Sequence, residues 1–152
     1  MKQKILVFLV FFFSLTVYGQ DATKVTEILD SPLLTKGQAA YIAASWLNTD
    51  NESLDFQQAT QLIVSEGFLT EDSNAADPIR LDELSNLCMK TWNIPGGLFY
   101  RMTKANRYAF KELKALGYLS TTADPSFSVT GFQGMNIMFK CMEYNTPSLP
   151  TE

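Results

Sequence analysis

The sequence predicts an all-α domain built from short helix–loop–helix repeats. The first observation is an internal similarity at a spacing of 50 residues, at which residues 66–69 resemble residues 116–119 and residues 79–83 resemble residues 129–133. The second is that both copies have the same order: a short helix ending at glycine, an apolar pair, a polar loop and a capped second helix. The third is that no segment alternates apolar and polar residues long enough to predict a strand. Repetition at this period is typical of stacked helical modules.

Residues 1–19 are expected to be a secretory signal peptide. Lys2 and Lys4 precede an apolar core at residues 5–13, and Gly19 provides the small residue before the cut. Polar residues interrupt the run before it reaches the ~20 apolar residues that a membrane-spanning helix needs. We therefore expect export to the periplasm or outer envelope, with no integral membrane segment after cleavage.

The first half of the remaining chain contains two capped helices. Residues 20–33 form a polar N-terminal segment with one short amphipathic stretch at 25–29, and the helical repeat domain spans residues 34–143. Thr35 and a glutamine three residues later have the spacing of a capping box, so a helix should begin there. Asp55 can cap the next helix.

The second half of the chain repeats this arrangement. Gly67 and Gly117 each end a helix, as glycine does where the backbone needs a positive φ. Thr130 caps the last helix, and residues 144–152 form a flexible tail that contains two prolines. Between these points the chain has predicted helices at residues 81–92 and 106–116, with a short apolar turn at residues 98–102.

Charge is distributed unevenly along the chain. The signal carries two of the 12 cations and none of the 16 acids, so the mature chain has a net charge of −6, which argues against nucleic acid as a partner. Residues 99–114 nevertheless carry five cations and one acid, a local charge of +4. A solvated helix face explains this pattern; a docking patch for an anionic glycan, a lipid headgroup or an acidic protein is the alternative, because aromatic faces among the cations suit such ligands. The candidate binding residues here are Phe99, Tyr100, Arg101, Lys104, Arg107 and Lys111.

Cys88 and Cys141 are the only cysteines, and both fall in predicted helices at corresponding places in the repeat. An exported protein permits one disulfide between them. Two buried free thiols that act as small apolar residues are the other interpretation. Spacing does not decide between these alternatives.

The amino-acid composition argues against a catalytic function. The chain has no histidine, which removes the commonest general base and metal ligand and excludes every histidine-dependent nucleophile. Two cysteines alone make a structural zinc site improbable, and no glycine-rich phosphate loop follows a strand. We therefore predict no catalytic residue, no cofactor and no metal site. A carboxylate pair drawn from Glu66, Asp82, Glu83 and Glu112 leaves a small hydrolase as a less favoured alternative.

Residues 34–38, 79–83 and 129–133 share one frame, with an apolar residue first and Glu or Gln fifth. This frame resembles the Ile-Thr-Arg-Ala-Glu signature of S-layer homology modules. The resemblance implies a compact bundle of three modules that binds negatively charged cell-wall glycan. The arginine of the signature falls on Lys36, Leu81 and Gly131, so Lys36 is the one position that keeps a charge and joins the candidate binding residues. Residues 96–113 also look like a segment of uncharacterised exported proteins of Gram-negative bacteria.

Together these patterns predict a non-catalytic cell-envelope binding module that recognises an envelope glycan or a partner protein. The alternative is a structural or assembly subunit of an envelope protein complex.

Overall fold

A computed structural model describes residues 17–47 and 54–144. The predicted all-α fold is confirmed for these residues, which form seven helices and no strand. Most of the predicted signal peptide, the turn before Asp55 and nearly all of the predicted tail lie outside the described residues. The helices are α1 (Val17–Asp30), α2 (Lys36–Leu47), α3 (Phe56–Ser65), α4 (Leu81–Thr91), α5 (Leu98–Thr103), α6 (Asn106–Ala115) and α7 (Gly131–Glu143).

Three helix starts and two helix ends lie where the local sequence predicts them. Thr35, Asp55 and Thr130 each accept the backbone N–H of a glutamine three residues later, and that glutamine accepts the N–H of the cap in return. Gly67 and Gly117 have φ values of 71° and 77°. The residue after each glycine donates its N–H to the carbonyl five residues earlier, at 3.0 Å in both cases. The same helix-ending turn therefore occurs twice, 50 residues apart in the sequence.

The three segments that share the signature frame meet at the centre of the fold. In each segment the third residue donates its backbone N–H to a carbonyl that lies two or three residues before the next segment. The third segment bonds in the same way to the residues before the first segment. These bonds join Lys36 to Asp77 at 2.8 Å, Leu81 to Phe127 at 2.8 Å and Gly131 to Ser31 at 2.9 Å. Because the third bond returns to the residues before the first segment, the segments close a ring.

The core contains side chains from every described helix, and α4 is its centre. Nine of the eleven residues of α4 are buried, because α2, α6 and α7 all pack against it. Two further contacts join helices that follow each other in the chain, α2 with α3 and α5 with α6. A third joins α1, the first described helix, with α7, the last. None of the described helices is long and apolar enough to cross a membrane.

Two elements differ from their predictions. The short amphipathic stretch at residues 25–29 belongs to the fourteen-residue α1, whose Ile28 is fully buried. This helix approaches α7 closely because Gly131 has no side chain, and a Cβ there would overlap the carbonyl of Ile28. The apolar turn at 98–102 is the helix α5, which ends at Lys104 in the left-handed conformation with φ 51°.

Candidate binding surface

A polar network anchors α5 and α6 to the centre of the fold. The Tyr100 hydroxyl donates to Oδ1 of Asn86 at 3.1 Å, and Nδ2 of Asn86 donates to Oδ1 of Asn106 at 2.7 Å. Asn86 is a buried residue of α4, so one side chain ties both helices to the core. These bonds matter because buried polar groups are costly to leave unpaired.

Tyr100 was predicted to belong to the binding surface, and the structure corrects this. Its side chain is 1% exposed, and burial raises the pKa of its phenol to about 12. The reason lies in the phase of α5. A helix turns by about 100° per residue, so Tyr100 faces away from the sector that contains its exposed neighbours.

The outer sector of α5 is an apolar tip formed by Leu98, Phe99 and Met102. These side chains are 69%, 65% and 74% exposed. The ring of Phe99 stacks on the ring of Tyr108 in α6, with centroids 5.6 Å apart and planes at 16°. The tip is therefore supported from below by α6 while its outer side faces solvent.

Four exposed cations lie on the helix that carries this tip, at its end, and on the neighbouring α6. Arg101, Lys104, Arg107 and Lys111 are all exposed. The ammonium of Lys104 lies 4.7 Å from the centre of the Tyr100 ring, and that of Lys111 lies 5.9 Å from the Tyr108 ring. Among the described residues, neither Arg101 nor Arg107 forms an ion pair.

Lys90 extends the positive region toward α4. Burial, followed by the charge of nearby Lys104, lowers the pKa of the Lys90 ammonium. The one acid of the segment, Glu112, is partly buried, with its carboxylate beside the backbone of Gly97. Positive charge therefore dominates the solvent side of α5 and α6.

An open cleft of about 630 Å³ lies beside α6 and shares Arg107 and Lys111 with these exposed cations. Its walls are Asp82, Arg107, Phe110, Lys111, Lys114 and Pro125. Asp82 is paired with Arg80, whose Nη2 lies 2.6 Å from Oδ2, so the aspartate charge is largely compensated. Three cations at positions i, i+4 and i+7 of one helix thus face a partly apolar cleft, an arrangement that suits an anionic group.

Lys114 was missing from the predicted binding residues, although its helical spacing from Arg107 and Lys111 was a usable signal. Its ammonium donates to the carbonyl of Ala123 at 3.2 Å and lies 5.5 Å from the Phe110 ring. Leu98 and Met102 were also missed. The sequence could have indicated them, because they share one side of α5. That side can be recognised only after Tyr100 is assigned to the core.

Lys36 is engaged within the chain. Its ammonium lies 3.0 Å from Oε1 of Glu83, and the two side chains are only 14% and 18% exposed. The other oxygen of that carboxylate accepts the backbone N–H of Arg80 at 3.1 Å. Lys36 therefore links the first and second segments of the central ring, and we remove it from the candidate binding surface.

The other two positions that match the signature arginine offer no charge to a ligand. Leu81 is buried in the core, and the carbonyl of Ile28 closes the space beside Gly131. The candidate cationic surface therefore lies on α5 and α6, and the signature positions contribute no free charge to it.

Cys88 and Cys141 are free thiols, and both are fully buried. Burial, followed by a hydrogen bond with Cys141, raises the pKa of the Cys88 thiol well above its usual value. The two thiols are thus neighbours across the contact between α4 and α7. Of the two alternatives, a disulfide or two free thiols, the structure contains the free thiols.

The candidate carboxylates have structural contacts. Asp82 and Glu83 are paired as described above, and Glu66 is the C-terminal cap of α3. Among the described residues, no three Asp, Glu, Cys or His side chains cluster to hold a metal ion.

A second exposed surface lies on and before α7. Phe127, Phe132 and Phe139 are 67%, 63% and 50% exposed. Phe132 and Phe139 are seven residues apart and so lie on the same face of the helix. Lys140 is also exposed on α7.

No protein-family model, curated protein or solved structure matches this chain.

Proposed function

We propose that this protein is a non-catalytic module of the cell envelope that binds an anionic envelope component through α5 and α6. The observation that carries the proposal is the group of exposed cations at Arg101, Lys104, Arg107 and Lys111, of which the last two also line the cleft together with Lys114. Because the rest of the chain is acidic, this surface is the part that attracts an anion. An envelope location follows from the predicted signal peptide.

The rigidity of the surface supports a binding role. Hydrogen bonds from Asn86 and the ring stack between Phe99 and Tyr108 hold both helices in place. A surface that is ordered before contact loses little conformational entropy when a ligand binds. The ammonium groups of Lys104 and Lys111 also lie over aromatic rings, whose faces attract cations without an acidic partner.

The closed ring of the three signature segments supports a layout like that of S-layer homology modules. In this proposal the module shares that layout but binds elsewhere, because Lys36 is paired with Glu83 and the other two signature positions are uncharged.

Retention on envelope fractions tests the function. The purified protein is mixed with peptidoglycan sacculi that retain their polymers, with outer-membrane vesicles, or with immobilised soluble periplasmic proteins, each at low and moderate salt. We expect retention on sacculi or vesicles that weakens as salt rises, because added ions screen exposed charges beyond about 8–10 Å. Absence of retention on both envelope fractions at low salt would contradict the proposal.

A second function, as a structural or assembly subunit, is favoured by the exposed phenylalanines of α7. Phe132 and Phe139 on one face of this helix are suited to burial against another chain. Light scattering separates this function from the first. A stable oligomer without ligand, lost in the Phe132→Ser and Phe139→Ser double variant, would favour the assembly role.

A further inference from the structure

We infer that the apolar tip of α5 inserts into the surface of an anionic lipid bilayer, with the neighbouring exposed cations at the headgroup phosphates. This inference rests on the proposed function and names the ligand class. Its first support is the exposure of Leu98, Phe99 and Met102, which are 69%, 65% and 74% accessible on consecutive turns of one short helix. Large apolar side chains grouped this way mark an interaction site.

The geometry of α5 suits insertion as a rigid wedge. Taking Leu98 as zero, Met102 lies at about 40° and Phe99 at about 100° around the helix, while Tyr100 at about 200° points into the core. The tip is therefore one continuous sector opposite the anchored side. Interfacial helices bury such a sector about 5–10 Å deep, at the boundary between headgroups and acyl chains.

The positive charges beside the tip favour a membrane with anionic headgroups. Arg101 and Lys104 lie on the same short helix end as the tip, and Lys90 is close enough to Lys104 for their charges to interact. Cations beside an apolar wedge reach headgroup phosphates while the wedge enters the acyl boundary. The exposed phenylalanines of α7 lack such a group of cations, with Lys140 as the one basic residue of that helix.

The side chains at the tip favour lipid over glycan. Sugars pack on flat aromatic faces, and Phe99 is the one aromatic residue of the three. Leu98 and Met102 offer a sugar no planar face and no strong hydrogen-bonding group. Both side chains are well suited to an acyl environment, where burial of apolar surface is favourable.

A local fluorescent reporter tests insertion. Met102→Cys is labelled with the environment-sensitive fluorophore NBD, and Phe132→Cys is the matched control; the native thiols are buried. The full chain is added to vesicles that contain phosphatidylglycerol or only phosphatidylcholine, with or without a nitroxide near the top of the acyl chain. The readout is local, so lipid contact by another part of the chain leaves it unchanged.

We expect the probe at position 102 to brighten and become quenchable on phosphatidylglycerol vesicles only, while the probe at 132 does not respond. Leu98→Ser with Met102→Ser should reduce vesicle binding about tenfold or more, and the equally exposed pair Phe127→Ser with Phe132→Ser should leave it unchanged. No response at 102, an equal response on both vesicle types, or a response at 132 instead would overturn the inference. If the vesicle tests fail while sacculi still retain the protein in a salt-sensitive way, the lipid inference fails and the proposed function stands.

Discussion

The ring of Phe99 lies 5.6 Å from the ring of Tyr108, nearly parallel to it, and this stack joins the exposed tip of α5 to the basic helix α6. Lys111 lies over the Tyr108 ring, so the apolar tip and the cations share one support. The two chemical features of the surface therefore form a single rigid unit. Substitutions in the core beneath this unit should lower the free energy of unfolding, whereas substitutions on its outer side should weaken ligand binding.

Tyr100→Phe should destabilise the fold near neutral pH, and the difference in unfolding free energy should shrink and then reverse as pH rises toward 12. The variant removes the hydroxyl that donates to Asn86 and leaves that amide oxygen unpaired, which costs about 1–2 kcal/mol. Urea unfolding near pH 7 measures this cost. The exposed Tyr144→Phe is the control and should change the unfolding free energy by less than about 0.5 kcal/mol.

The pH dependence follows from the pKa of Tyr100, which burial raises to about 12 from an ordinary value near 10. Since the folded state favours the protonated phenol, the stabilisation is complete below pH 10 and declines as pH rises toward 12. The wild type should lose roughly 2–3 kcal/mol over that range through this group. The phenylalanine variant lacks this loss, so an equal decline in both proteins would contradict the assignment.

Gly131→Ala should destabilise the protein by more than about 2 kcal/mol, because the new methyl group would overlap the backbone of Ile28 and force α1 away from α7. Gly117→Ala is a useful comparison. It has open space but a φ of 77°, so the expected cost is only about 1–2 kcal/mol of backbone strain. Thermal unfolding measures both changes. A smaller loss for Gly131→Ala than for Gly117→Ala would be inconsistent with the tight contact.

Lys36→Met should lower stability without affecting envelope binding. The substitution keeps most of the apolar stem but removes the charge that pairs with Glu83 at 3.0 Å, for an expected cost of about 1 kcal/mol. Chemical unfolding and retention on envelope fractions are measured on the same preparation. A clear loss of retention at unchanged stability would return Lys36 to the binding surface.

Cys88 and Cys141 should resist thiol reagents in the native protein and react after unfolding. Both are fully buried, and the raised pKa of Cys88 keeps its thiol protonated near neutral pH. The test counts reactive thiols with a chromogenic disulfide reagent at pH 8, before and after addition of guanidinium, without reductant. Two reactive thiols after unfolding fit the structure, whereas none would identify a disulfide.

Local chemistry explains which parts of the fold were predictable. The helix ends at Gly67 and Gly117 and the caps at Thr35 and Thr130 depend on a few consecutive residues, and all were confirmed. The orientation of α5 was missed because six residues with adjacent apolar side chains contain too little periodicity to separate Tyr100 from its exposed neighbours.

The site was only partly predictable for a related reason. The basic segment was visible as a cluster of charges, but the cleft needs α6 to lie beside Asp82 and Pro125, which are distant in sequence. The pairing of Lys36 with Glu83 is equally nonlocal. Tertiary contacts therefore decided which cations remain available to a ligand.

Retention of the Arg101→Gln and Arg107→Gln double variant on envelope fractions tests the central claim most directly. Lys140→Glu is the matched control, since both variants lower the net charge equally and Lys140 is an exposed cation outside α5 and α6. If the basic surface binds an anionic component, the double variant should lose about 25-fold in affinity at low salt, at about fivefold per cation, and Lys140→Glu should bind like the wild type. Equal retention of the double variant and the wild type, or equal loss in both variants, would contradict a binding surface on α5 and α6.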